Sequence, residues 1–241
     1  MENTTMENTR TKTTRNSLIL LLTAAIWGMA FVSQSKGMDY MHPFTFNGVR
    51  SLIGAASILV YILISRKIAG DKAAPLDWKL NVKAGLLCGI FLTIASTLQQ
   101  FGIKYTSVGK AGFITTLYII FVPMFGIFLK KKVAPVVWAA AVMAAVGMYL
   151  LCMTESLRLG AGDIMVFLCA IAFAIQIMTV DHYAARIDGA VVSCIQFTVC
   201  GVVCCIGALI WGQPTFGQLQ EGLGALLYAG VLSCGVGYTL Q

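Results

Sequence analysis

Eight apolar stretches, each close to the length that crosses a lipid bilayer, follow one another along this chain. They run over 17–35, 43–65, 84–103, 111–129, 133–153, 164–180, 189–211 and 222–241. Crossing the hydrocarbon layer takes about 20 mostly apolar residues per helix. Every backbone N–H and C=O in lipid must find its partner within the protein, so such stretches fold as helices. The period-two alternation of an outer-membrane barrel is absent from them. Composition agrees: 58% of residues are hydrophobic and 11% charged, against roughly 25% charged in an ordinary soluble domain. The expected fold class is therefore all-α, a polytopic membrane protein with eight helices.

The stretches repeat in order. Five fill Ser17 to Met153, and three more follow at similar spacing, the first beginning near Ile164. The third stretch of the first set contains Thr97-Leu98-Gln99, and the third of the second set contains Thr239-Leu240-Gln241. Order and spacing together point to an internal repeat, with one copy over 17–153 and a second, incomplete copy over 160–241. Two further spans are expected beyond Gln241, making ten in the intact machine.

Basic residues set the expected orientation. With the N-terminus in the cytoplasm, that side holds Arg10, Lys12, Arg15, Arg66, Lys67, Lys72, Lys79, Lys83, Lys130, Lys131, Lys132 and Arg186, twelve in all. The other side holds four: Lys36, Lys104, Lys110 and Arg158. This is a clear positive-inside bias. The net charge of +7 is thus mostly topology, and no nucleic-acid partner is implied. Residues 1–16 read as a disordered cytoplasmic tail. The first apolar stretch reads as an uncleaved helix, because no small-residue cleavage site follows Val32. The eight cysteines lie inside apolar stretches and read as packing residues; no metal or cofactor is expected.

A five-helix unit crosses the membrane an odd number of times, so the second copy enters from the side opposite the first. Inverted repeats of this kind are the arrangement of many secondary transporters, with the solute held near the midplane between the copies. The residues also resemble a known family. Ala25-Ile26-Trp27-Gly28-Met29-Ala30-Phe31, then His42-Pro43-Phe44 followed by Arg50, then Ala111 to Leu129 with Pro123 inside it, look like an EamA domain of the drug/metabolite transporter superfamily. The resemblance covers the first copy closely and the second loosely. It implies ten helices in two inverted repeats and carriage of small solutes. The chain departs from it at Leu129-Lys130-Lys131, where the family often has Gly-Glu.

Polar residues within apolar spans mark the candidate site, since polar groups in lipid tend to face a bundle interior or a cavity. Helical spacing selects Trp27 from the first span, Asn47 and Arg50 from the second, Thr97, Gln99 and Gln100 from the third, and Tyr118 from the fourth. The second copy adds Gln176, Gln196 and Tyr238. Arg50 is the one ionisable side chain well inside a span. It can snorkel to the interface, tie to helix-end carbonyls, or anchor a solute carboxylate, for which a planar guanidinium is suited. Gln34 lies near the outer end of its span and reads as wet. Pro123 should kink the fourth span, and Gly85 with Gly89 should allow close helix contact.

Three functional classes follow. The leading one is an inner-membrane carrier, an exporter or facilitator of small metabolites or drug-like solutes, working by alternating access, with solute and lipid as partners and a homodimer admissible. The second is an integral-membrane enzyme. It is disfavoured because His42 and His182 fall on opposite faces and no acid–base set gathers. The third is a non-transporting fragment.

Overall fold

The computed structural model of the chain describes residues 2–70, 76–128, 134–152 and 160–240, and among these the structure is helical with no strand. Seven helical stretches among them are long and apolar enough to cross a membrane: Thr14–Gly37, Pro43–Ala69, Trp78–Tyr105, Val108–Phe128, Ala161–Arg186, Gly189–Gly212 and Leu223–Leu240. The remaining expected span, the fifth, is an 18-residue helix over Pro135–Cys152. Lys72, Lys130 to Lys132, Arg158 and Gln241, which carry part of the expected topology and repeat, lie outside the described residues.

Local chemistry sets the boundaries. Helix α1 covers Glu2–Gly37. It begins inside the segment expected to be a disordered tail, where neither Gly nor Pro stands before Gly28 to stop a helix propagating back from the apolar span. Helix α2 (Pro43–Ala69) opens with His42 as cap and Pro43 in the first turn, a position where the missing N–H costs nothing. It ends at Gly70, whose φ of +51° suits a residue without a Cβ. Helix α3 (Trp78–Tyr105) is capped by Asp77, which accepts from Leu80 N. Helix α4 (Val108–Thr116) is capped by Ser107.

The fourth span breaks into α4 and α5 (Tyr118–Phe128) at Leu117. There Leu117 N bonds back to Ile114 O and Ile120 N to Leu117 O, three-residue steps that tighten the turn. The break lies about one and a half turns before Pro123, on the side where the proline ring crowds the preceding turn. Helix α6 is Pro135–Cys152. Helix α7 (Ala161–Tyr183) places Asp163 so that it reaches back to Gly160 N, and α8 (Gly189–Gly207) is capped by Asp188, which accepts from Ala190 N and Val191 N. Both aspartates therefore serve helix ends. Helix α8 continues as a π-helical stretch, Ala208–Gly212. After the short α9 (Phe216–Glu221), the last span is α10 (Leu223–Leu227), a long π-helical stretch over Tyr228–Val236, and the final turn α11 (Gly237–Leu240).

The two sets of helices interleave. The largest contacts are α3 with α7, α2 with α8, α3 with α8, and α2 with the π-helical stretch of the last span. Helix α1 packs on the last span, and α6 touches α4 and α5. Gly85 and Gly89 do mediate close contact: a Cβ at either would sit 2.7 Å or 2.8 Å from Ile195 or Val199 of α8. At one end of the bundle, Arg66 of α2 pairs with Asp188 at 3.6 Å, and Asp188 N donates to Asn81 Oδ1 of α3. At the other end, the Thr106 hydroxyl donates to Asp163, which Lys110 approaches to 3.8 Å. Leu18, Leu20, Leu21, Leu63 and Ile68 stand exposed on the outside, as lipid-facing positions do.

Candidate functional site

Arg50 is buried, with 6% of its surface exposed. Its Nε donates to Asn47 Oδ1 at 3.0 Å, one turn back on α2. The guanidinium carbon stands 5.7 Å from the centre of the Phe46 ring, a favourable placement for a cation. The charge lies within electrostatic reach of Cys169 on α7, Cys200 on α8, and Cys234 and Tyr238 in the last span. Among the described residues no carboxylate pairs with Arg50; the ion pairs are at the two ends of the bundle. Snorkelling to the interface is therefore not what this side chain does. It is a cation with its Nε held by Asn47 and no carboxylate paired to it among the described residues.

Asn47, fully buried, extends this centre. Its Nδ2 donates to Ser96 Oγ of α3 at 3.0 Å and to Cys204 Sγ of α8 at 3.2 Å. Ser96 and Ser51 both meet Cys200 Sγ, at 3.3 and 3.5 Å, and Thr97 meets Cys204 Sγ at 3.5 Å. Sequence reasoning missed Ser51, and read Cys200 and Cys204 as packing residues. The signal available was the i, i+4 series Gln196, Cys200, Cys204, which places one amide and two thiols on a single face of α8.

The structure brings some of the other expected residues together and scatters others. Gln176 Nε2 donates to Gln196 Oε1 at 2.9 Å, a buried amide pair joining α7 to α8. Gln99 donates to Thr115 Oγ1 of α4 at 3.3 Å. Gln100 faces α1 and donates to the Gln34 carbonyl at 3.2 Å. Trp27 Nε1 donates to Ser233 O in the π-helical stretch at 3.3 Å, and its ring lies 5.5 Å from that of Tyr238, which in turn meets Phe197 edge-on at 4.7 Å. Tyr118 is half-buried at the α4–α5 break. Gln34, expected to be wet, is instead 4% exposed: α3 covers the end of α1 there.

The polar centre is packed. A cleft of about 320 Å³ lies elsewhere, between α5 and α6, with an apolar wall that includes Ile120, Trp138 and Tyr149. At the end of the bundle, His42 caps α2 within an aromatic group of Phe44, Phe101 and Trp211. Burial, with a further push from Lys104, lowers the pKa of His42 below its usual value. Among the described residues no three His, Cys, Asp or Glu side chains gather as metal ligands. The ionisable groups of the centre are thus Arg50, thiols and a tyrosine, a set fitted to holding a polar solute.

Residues 15–153 match the EamA-like transporter family. An uncharacterized transporter of Archaeoglobus fulgidus is 31% identical over 171 residues, covering 68% of this chain and 48% of the relative. The uncharacterized transporter YwfM of Bacillus subtilis is 26% identical over 228 residues, covering 93% of this chain and 74% of the relative. One from Clostridium kluyveri is 25% identical over 236 residues, covering 92% and 74%. The chain spans about half the length of the Archaeoglobus relative and about three quarters of the other two. Seven span-length apolar helices describe a multi-pass membrane protein, and the chain belongs to the EamA-like transporter family.

Proposed function

We propose that the protein is an inner-membrane carrier of small metabolites or drug-like solutes, working by alternating access, with its N-terminus in the cytoplasm. The observation that carries this reading is Arg50: a buried cation at the meeting of α2, α3, α8 and the last span, with no carboxylate of its own among the described residues. An intramembrane charge is costly and is retained where it handles a substrate or ion. A zwitterionic solute would place its carboxylate on the guanidinium fork, with Asn47 as orienting residue and Trp27, Tyr238 and the glutamines as its surroundings.

Two five-helix repeats of inverted topology suit this mechanism. The pairing of α3 with α7 has a counterpart in that of the last span with α1, and α8 with α3 in that of α2 with the last span. These correspondences support a pseudo-twofold axis in the membrane plane, with α2 crossing α8 at its centre. Among the described residues Asp163 and Asp188 stand at helix ends rather than inside spans, so movement is either passive or coupled through an acid outside the described residues.

The test is metabolite profiling of cells carrying the full-length gene, the same gene with Arg50→Met, or neither. A small carboxylate-bearing solute should redistribute across the membrane with the native gene alone. Equal redistribution by Arg50→Met would remove Arg50 from the solute site, and no redistribution by any form would count against a carrier.

A further inference from the structure

Gln34 and Gln100 meet where α1 ends against α3, and each carries a buried side-chain oxygen without a partner. Gln34 Oε1 and Gln100 Oε1 are both buried without a hydrogen bond. The residues that carry them are 4% and 0% exposed. The Gln100 amide is oriented by its own donor: Nε2 faces Gln34 O at 3.2 Å, and the flipped amide would set two acceptors face to face. Gln34 O is the third acceptor. It belongs to the last turn of α1, whose helix stops at Gly37, so it is one of the carbonyls that no intrahelical N–H completes. Met38 N turns instead to Ser35 O.

Leaving buried acceptors unmade costs about 1–3 kcal/mol each, and a leucine at either position would avoid that cost. Apart from the Gln100 Nε2 donor, the polar atoms gathered here are oxygens. Amide and peptide oxygens are the negative ends of their dipoles, and the C-terminus of a helix carries about half a negative charge. Such an assembly suits a positive charge and repels an anion. Hard cations take oxygen ligands, neutral carbonyls included, and transporters bind their cations at helix C-terminal ends of this kind.

We propose that Gln34 and Gln100, with the end of α1, form a subsite for a small cationic group, either a free alkali cation or a primary ammonium. The subsite is distinct from Arg50. Gln100 stands one turn beyond Ser96 on α3, and Arg50 one turn beyond Asn47 on α2 in the opposite direction, with Ser96 and Asn47 in contact. Seven residue rises then separate the two levels, roughly 10 Å along the bundle. A cation here and an anion on Arg50 would favour one another. Cation binding itself stands whether or not the carrier reading holds, because it can be read without transport.

The experiment is thermal unfolding of the purified protein in detergent, in chloride salts of sodium, potassium, methylammonium and choline at equal ionic strength. A ligand that binds only the folded state raises the midpoint. The expected result is a rise of about 3 °C over choline with one of the small cations, saturating with concentration. A rise with sodium or potassium identifies a free alkali cation, and one confined to methylammonium identifies an ammonium group. Gln34→Leu should lose the increment while unfolding no earlier in choline, since it removes an unpartnered acceptor. Gln34→Glu should reach half-saturation at a lower cation concentration, and this arm decides if the leucine variant does not fold. The proposal is overturned if no cation differs from choline, or if both variants keep the native increment and half-point.

Discussion

The bond between Arg50 and Asn47 can be tested quantitatively with a double-mutant cycle. Asn47→Leu removes a fully buried amide that accepts from Arg50 Nε at 3.0 Å and donates to Ser96 at 3.0 Å. A hydrogen bond to a charged group contributes about 1.5–3 kcal/mol, and one left unmade at a buried charge costs in that range. Interhelical hydrogen bonds in membranes average about 0.6 kcal/mol. In the native background Asn47→Leu should therefore cost about 2–3.5 kcal/mol. With Arg50→Met already present the charged partner is gone, and the same change should cost about 1 kcal/mol or less. The coupling energy should be about 1.5–3 kcal/mol. Arg50→Met alone should be neutral or stabilising, because an apolar side chain of similar length replaces an unneutralised buried charge. The assay is reversible unfolding in mixed micelles of dodecyl sulfate and maltoside, followed by helical circular dichroism. If the two substitutions add to within about 0.5 kcal/mol, Asn47 does not hold Arg50 and the polar centre is not a unit.

Gly162→Ala should destabilise by about 1–3 kcal/mol, because the added Cβ would lie 2.8 Å from both Gly102 O and Tyr105 C, backbone atoms that cannot rotate away; Gly28→Ala, with nothing within 4 Å, should be neutral or slightly stabilising in the same melting assay. Trp27→Phe should lose about 0.5–1.5 kcal/mol, one hydrogen bond to Ser233 O, and less than Trp27→Ala, which opens a gap beside Tyr238. His42 has its folded pKa lowered, first by burial and then by Lys104, so the unfolded chain binds the extra proton. Stability should be flat above pH 6.5, the unperturbed value, fall as pH drops below it towards the folded pKa, and lose that dependence in His42→Asn, read as melting temperature against pH.

Residue types and their spacing made the helices legible. Pro43 behind His42, Ser107 and Asp188 each open a helix, and Gly70 closes one, through short-range hydrogen bonding and backbone sterics that the local sequence contains. The close approach of α3 was legible in the same way, since Gly85 and Gly89 leave one helix face without side chains. Asn47, Arg50, Gln176 and Gln196 are buried, and Trp27, Thr97 and Tyr238 partly so. Spacing along one helix could not say which of them would meet. Gln99 and Gln100 are neighbours in the chain yet serve different helices, one bonded to α4 and the other to α1. Cys200 and Cys204 read as small apolar residues until α2 and α3 set Asn47, Ser51, Ser96 and Thr97 against them.

The sequence by itself determined that this is a bundle of apolar helices in a membrane, because the absence of water for the backbone leaves no other solution for stretches of this length. It also placed the spans along the chain, though not the start of α1. The tertiary structure decided what the polar residues within them do. Whether Arg50 reaches the interface or stays inside, whether Gln34 is wet or buried, and which carbonyls go unpartnered depend on atoms from helices far apart in the chain. Those contacts arise from the interleaving of the two sets of helices, and no local periodicity encodes them.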